Sequence, residues 1–229
     1  MQIFSQRMCL LCGVSNEKDV CHACFKDLPQ LPTNRCPICL LPVTTSQECG
    51  VCLTTKPAFT RALAAFQYSF PIDALIQSLK YQTNLAIVPI LADLLIDQIE
   101  ITKLPDFIVP MPLHPKRLRE RGFNQALEIS RVIANKSGVT LLSDVCQRIR
   151  NTPAQTGLNW KERQKNIHNA FTCSINVSGK HIAVVDDVMT TGATLNELAK
   201  VLCQQGADEV SGWIVARTLP AMPPSRTAL

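Results

Sequence analysis

The chain has few aromatic residues, no apolar stretch long enough to cross a bilayer, and neither of the common glycine-rich nucleotide signatures. Aromatics are 5% of its 229 residues, which argues against a surface that grips single-stranded nucleic acid chiefly by stacking. The most apolar candidate, Leu85 to Ile96, is short and interrupted by Asp93, well below the roughly 20 residues that a transmembrane helix needs. The start, Met1-Gln2-Ile3-Phe4-Ser5-Gln6-Arg7, lacks the apolar core of a secretory signal. A cytoplasmic protein is therefore expected. No G-x-x-x-x-G-K-[ST] loop and no G-x-G-x-x-G turn occurs, so nucleoside triphosphate hydrolysis of the usual kind has no support.

Cysteine, by contrast, is plentiful. Of 11 cysteines, eight fall before residue 53 as four C-x-x-C pairs: Cys9/Cys12, Cys21/Cys24, Cys36/Cys39 and Cys49/Cys52. Each pair can form a knuckle that offers two thiolates to one tetrahedral Zn²⁺, so the eight predict two closed four-cysteine sites, with sequential pairing favoured by the short spacing. Disulfides do not suit a cytoplasmic chain. The even spacing also differs from ferredoxin-type runs, which disfavours an iron–sulfur cluster. With no open coordination position these metals are structural, holding a segment too poor in apolar residues to form a core alone. His22, inside the second knuckle, reads as a bystander. Cys146, Cys173 and Cys203 read as small buried apolar residues.

The formal charge is +5 with thiols counted as neutral. Two Zn(Cys)₄ sites would lower it to about +1 and leave the amino-terminal module acidic, so the positive surface belongs to the remainder of the chain. Two basic clusters stand out there. Lys116, Arg117, Arg119 and Arg121 face only Glu120, and Arg148, Arg150, Lys161, Arg163 and Lys165 face only Glu162.

The richest segment is Val184-Val185-Asp186-Asp187-Val188-Met189-Thr190-Thr191-Gly192-Ala193-Thr194. The apolar run Ile182 to Val185 is expected of a parallel strand covered on both faces. It is expected to stop at the two carboxylates. Thr190, Thr191 and Thr194 offer hydroxyls, Gly192 permits close backbone approach, and the helix that follows aims its free N–H groups at the same spot. That helix is marked by Leu195, Leu198, Ala199, Leu202 and Cys203, and Gly206 suits its end. A further strand, Trp213 to Val215, follows. The order strand, loop, helix, strand puts an anion cradle at the carboxyl end of a parallel sheet.

This segment resembles the 5-phosphoribosyl-1-pyrophosphate (PRPP) motif of type I phosphoribosyltransferases. The resemblance implies that Asp186 and Asp187 hold the ribose hydroxyls and that the loop Val188, Met189, Thr190, Thr191, Gly192, Ala193 and Thr194 holds the 5′-phosphate, with Mg²⁺ accompanying bound PRPP. A buried strand at Phe107 to Pro110 leads into a proline-rigid loop carrying Leu113, His114, Lys116 and Arg117. In that family the corresponding loop meets the pyrophosphate. The polar stretch from 151 to 169 holds Thr152, Gln155, Arg163 and Asn166 and matches a mobile hood that closes over substrate. Helices are expected from Ile72 to Tyr81, from Leu85 to Ile99 and from Leu127 to Asn135, with Val139 to Val145 supplying a strand.

Taken together, the four C-x-x-C pairs, Leu79-Lys80-Tyr81, Ile108 to Leu113, Arg121-Gly122-Phe123-Asn124-Gln125, the hood residues and the cradle resemble the ComF proteins. That implies an α/β fold: a type I phosphoribosyltransferase-like parallel sheet with helices on both faces, preceded by a small double zinc ribbon. The expected division is 1–56 for the ribbon module, 57–219 for the phosphoribosyltransferase-like domain and 220–229 for a disordered tail. The resemblance also implies a role in natural transformation, handling incoming single-stranded DNA at the cytoplasmic side of the inner membrane, beside DNA-uptake proteins. Arg119, Arg121, Arg148, Arg150, Lys161 and Lys165 are the DNA candidates. The alternative is an active phosphoribosyltransferase of nucleotide or amidophosphoribosyl metabolism with no DNA role. No side-chain nucleophile is evident in either case.

Overall fold

The computed structural model describes residues 7–45, 47–99, 103–151 and 167–220. Its centre is a five-stranded, wholly parallel sheet in the order β3 (Arg61–Gln67), β9 (Glu209–Arg217), β8 (His181–Met189), β4 (Phe107–Pro110), β5 (Thr140–Leu141). Parallel neighbours need crossovers, and helices supply them. Helices α3 (Ile72–Gln82) and α4 (Ile87–Ile96) join β3 to β4, α5 (Pro115–Arg121) and α6 (Gln125–Ser137) join β4 to β5, and α7 (Ala193–Gln204) joins β8 to β9.

Side-chain alternation assigns residues to the two faces. On β8, Ile182 and Val184 enter one apolar cluster, with Leu195, Leu198 and Leu202 of α7. Ala183 and Val185 enter the other, with Ile76 and Leu79 of α3, Leu91 of α4 and Ile129 of α6. Both faces are thus covered, which is why the central strands read as continuous apolar runs.

The amino-terminal segment adds β1 (Arg7–Met8), β2 (Ser15–Asn16), α1 (His22–Lys26) and α2 (Gly50–Thr54). Its two halves do not pack apart from the sheet. Val20 and Leu28 join the cluster of α3, α4 and α6, with Phe25 edge-on to Phe66 at 6.1 Å between centroids. Cys36, Ile38, Cys39, Leu40 and Cys52 join the cluster of α7. Each ribbon therefore completes one of the two cores.

The expected helices and strands occur with shifted ends, and three features differ from expectation. Strand β3 went unanticipated, since Arg61-Ala62-Leu63-Ala64-Ala65 favours helix by propensity, and pairing with β9 overrides it. Strand β8 does not stop at the carboxylates but runs through them to Met189, because β9 supplies partners as far as Arg217. Finally, β6 (Cys146–Arg148) and β7 (Phe171–Cys173) form an antiparallel hairpin flanking the polar stretch. Cys146 is buried as expected and is the cross-strand partner of the half-buried Cys173, whereas Cys203 is exposed on α7.

Candidate functional site

Strand β4 leaves the sheet at Pro110, opposite Val185, while β8 and β9 continue side by side to Met189 and Arg217. Beyond Pro110, β8 has no paired strand on that side, which in an open α/β sheet makes a crevice. The strand that follows β4 in sequence along the sheet edge, β5, lies on its far side from β8, so the crevice is the switch point of the sheet. Open α/β sheets bind ligands at such a point.

Asp186 and Asp187 sit in this opening, and they are not equivalent. Asp187 is 3% exposed, and its enclosed Oδ2 makes no hydrogen bond of normal angle among the described residues. Its charge is met by Lys80 Nζ of α3 at 2.5 Å. Burial lowers the Lys80 pKa, but the Asp187 carboxylate outweighs it and holds the ammonium above the ordinary lysine range. Asp186 is only half-buried, and its Oδ1 accepts from the Asp187 N–H at 2.9 Å. Desolvation, with the Asp187 charge beside it, pushes the Asp186 carboxyl well above the ordinary carboxylate range.

Further positive charges act on Asp186 and on Lys80 from separate elements. Arg148 of β6 feels both Arg117 of α5 and Asp186, and its pKa is lowered by burial and by the Arg117 charge. Arg121, at the end of α5, acts on Lys80, stacks 6.0 Å over the Tyr81 ring and donates to Gln125 at 2.5 Å. The sequence Arg121-Gly122-Phe123-Asn124-Gln125 now has a physical reading. Gly122 ends α5 at φ +84°, a left-handed conformation that glycine tolerates, and Asn124 caps α6 while its Nδ2 donates to Met111 O at 3.1 Å. The motif fixes the proline-rich loop next to the carboxylates.

On the other side of the opening, Gly192 turns the chain at φ +79° into α7. No side chain caps that helix at Gly192, and Thr191 Oγ1 accepts only from Ala193 N, at 3.3 Å. The other N–H groups of the first turn lack intrahelical acceptors, as in any helix start, and that is what an anion cradle requires. Thr190 is exposed and Thr194 half-buried. His114 caps α5, its Nδ1 accepting from Lys116 N at 3.2 Å.

The sequence-derived residues therefore divide into groups. Asp186 and Asp187 lie on β8 just past the point where β4 departs, loop 188–194 carries on from them into α7, and Leu113, His114, Lys116 and Arg117 follow β4 at the same end of the sheet. Of the DNA candidates, Arg148 is acted on by Asp186, whereas Arg121 acts on Lys80 and stacks over Tyr81. Arg119 is exposed, and exposed Arg150 donates to His168 O at 2.5 Å. Thr152, Gln155, Lys161, Arg163, Lys165 and Asn166 lie outside the described residues. The Lys80 contact with Asp187 was missed. Its sequence signals are the Leu79-Lys80-Tyr81 motif and a basic residue at the end of an amphipathic helix, and neither names its partner.

The thiols form two groups, Cys9, Cys12, Cys21, Cys24 and Cys36, Cys39, Cys49, Cys52, with all ligand atoms of a group within 4.8 Å of one another. Tetrahedral zinc with Zn–S of about 2.3 Å needs sulfurs about 3.8 Å apart. Cys12 Sγ to Cys21 Sγ is 3.7 Å and Cys39 Sγ to Cys49 Sγ is 3.5 Å. Burial raises the Cys9 and Cys36 thiols, yet surrounding backbone N–H groups outweigh it and hold them at about 6 and about 7. The two Cys₄ groups fit zinc, and the pairing is sequential. His22 lies outside both.

Comparison with known proteins decides the family. The chain is 34% identical over 222 residues to DNA utilization protein YhgH of Salmonella typhimurium, covering 93% of this chain and 97% of that protein. It is 33% identical over 208 residues to competence protein F of Haemophilus influenzae, covering 86% and 90%. The chain belongs to the ComF family.

The ComF chain is also 26% identical over 227 residues to competence protein ComFC of Streptococcus pneumoniae, covering 91% and 99%. No family model matches it. Among solved structures it is similar to glutamine phosphoribosylpyrophosphate amidotransferase from B. subtilis, at 17% identity over 57% of this chain and 26% of that one, TM-score 0.39. It is similar too to a purine phosphoribosyltransferase from Pyrococcus horikoshii, at 14% identity over 69% and 91%, TM-score 0.30. At those scores the likeness adds nothing to the topology described above. The ComF chain is an α/β protein with a five-stranded parallel sheet and two Cys₄ groups near its amino terminus. Among the described residues no helix is long and apolar enough to cross a membrane.

Proposed function

We propose that the ComF chain binds PRPP in the crevice between β4 and β8 and handles single-stranded DNA in competence, as the names of its relatives suggest. The observation that carries this reading is that Lys80 meets Asp187 and Arg148 is acted on by Asp186, at the strand end from which the loop into α7 departs. Such a site joins hydroxyl acceptors to two anion pockets, the pattern a phosphorylated ribose carrying a pyrophosphate would need. Asp186 would accept from the ribose hydroxyls, with Asp187 held in place by Lys80. Loop 190–194 would receive the 5′-phosphate, and Arg117, Lys116 and Arg148 would face the pyrophosphate. Mg²⁺ would neutralise part of the pyrophosphate charge when PRPP is bound.

In this reading residues 1–56 are the metal-holding module and 57–219 the ligand-binding domain. The exposed cations Lys116, Arg119 and Arg150 supply phosphate contacts to DNA. Tyr81, 77% exposed, offers a ring for one base. Lys116, Arg117 and Arg148 would stabilise departing pyrophosphate if the ligand is turned over, and their place in the proposed pyrophosphate site favours an active phosphoribosyltransferase as second reading. The deciding experiment measures PRPP/Mg²⁺ binding, single-stranded DNA binding and pyrophosphate release on one preparation. PRPP and DNA binding without pyrophosphate release supports the binding module; release without DNA binding supports the transferase.

A further inference from the structure

Arg217, the last residue of β9, is 1% exposed. Its Nε donates to Cys39 O at 2.9 Å, and its Nη1 donates to Met189 O at 3.1 Å, to Thr218 O at 2.5 Å and to Thr190 O. Cys39 belongs to the second Cys₄ group, whereas Met189 and Thr190 open the phosphate loop. One planar guanidinium thus spans two structures far apart in sequence.

A buried cation needs an opposite charge. Among the described residues no carboxylate pairs with Arg217; all four of its hydrogen bonds go to neutral carbonyls. The groups placed to supply that charge are the Cys39, Cys49 and Cys52 sulfurs, which act on Arg217 against the effect of its burial when they are thiolates. Four thiolates around one Zn²⁺ carry a net charge of about −2, so the loaded second site is the counter-ion that Arg217 otherwise lacks. The donor geometry fits that metal, as shown above.

Two further contacts run the same way. Ala58 N donates to Asn196 Oδ1 of α7 at 2.8 Å, and the Phe59 ring lies where a side chain on Gly192 would meet it, at 3.7 Å. A cavity of about 790 Å³ between the second ribbon and the loop is lined by Cys39, Cys52, Thr190, Gly192 and Arg217. The first Cys₄ group, by contrast, belongs to the ribbon half that packs on the opposite face of the sheet, against α3 and α4.

We infer that Arg217 is a positioning residue through which the second zinc site and the phosphate loop stabilise each other, so that metal held by Cys36, Cys39, Cys49 and Cys52 sets the shape of the loop and anion bound at the loop retains that metal. The coupling is reciprocal by thermodynamic necessity. It rests on the proposed PRPP reading only for the identity of the anion.

The test uses full-length, zinc-loaded protein and a zinc-selective chelator with Mg²⁺ in excess, the release phases being assigned with Cys12→Ser and Cys52→Ser variants. Saturating PRPP is expected to slow release from the second site about tenfold and leave the first unchanged, within the usual range of coupling between sites. Arg217→Lys, which keeps the charge but loses the fork, is expected to speed release from the second site about tenfold without any ligand, again sparing the first. If calorimetry shows that wild-type protein does not bind PRPP, the functional reading fails while the Arg217→Lys release rates still decide the link. Should that variant not fold, hydrogen exchange on wild-type protein decides: chelation of the second site must speed exchange at the Thr190 to Thr194 amides. Equal release rates for wild type and Arg217→Lys, bound PRPP without effect on the second site, or unchanged loop exchange after chelation overturns the inference.

Discussion

Lys80 Nζ and Asp187 Oδ2 lie 2.5 Å apart at the mouth of the crevice, joining α3 to β8. The side chains are 18% and 4% exposed, so the pair is largely shielded from solvent and from salt. Lys80 thus supplies the opposite charge that an acidic side chain buried here calls for.

Removing one partner leaves the other stranded. Lys80→Met should destabilise the protein by up to ~3 kcal/mol, the lower end of what buried pairs cost when broken. Adding Asp187→Asn should return most of that loss. Chemical denaturation of the wild type, both single variants and the double variant measures it, and additive losses would refute the coupling.

Asp186 carries the opposite sign. A carboxyl whose folded pKa exceeds its unfolded value binds protons more tightly when folded, so its contribution to stability falls as pH rises above the ordinary carboxylate range. Asp186→Asn removes that penalty. Its melting temperature at neutral pH should rise by a few degrees and change less with pH, while PRPP affinity is lost. A lowered melting temperature would count against the electrostatic account of this residue.

Metal content should be two zinc ions per chain, one for each Cys₄ group. Because the ribbons complete the two cores of the sheet, Cys36→Ser should lower the melting temperature of the whole protein and not only that of its first segment. Iron in place of zinc, or a melting curve in which the sheet is untouched, would contradict this.

For DNA, Arg119→Ala with Arg150→Ala should weaken single-strand binding alike for all sequences and make its fall with salt less steep, because phosphate contacts release counterions and carry no base information. Tyr81→Ala should cost about 1–3 kcal/mol of the same affinity if its ring stacks on a base. Filter binding over a salt series measures both. Affinity untouched by all three substitutions would remove this surface from consideration.

Much of this was legible in the sequence where the signal is local. The four C-x-x-C pairs closed as two groups because their spacing leaves little choice, and the strand, loop and helix around Gly192 follow from an apolar run, a hydroxyl-rich turn and a helical period. What escaped was set by tertiary context. The alanine-rich β3 is a strand only because β9 lies beside it. Arg217 ends an apolar strand and looks like any surface cation, yet its Nε donor bonds a carbonyl 178 residues away. Lys80 and Asp187 meet through a helix crossing that no spacing encodes. Cys146 and Cys173 are brought together by a hairpin whose strands are three residues each, too short to leave a pattern.

The most direct measurement of the central claim is calorimetric titration of PRPP with Mg²⁺ into the zinc-loaded protein, its Asp186→Asn variant and its Asp187→Asn variant. The account predicts one site per chain in the wild type, no detectable binding for Asp186→Asn, and weakened binding for Asp187→Asn, where Lys80 loses its partner. Absence of binding by correctly folded wild-type protein, or equal affinity in all three, would contradict it.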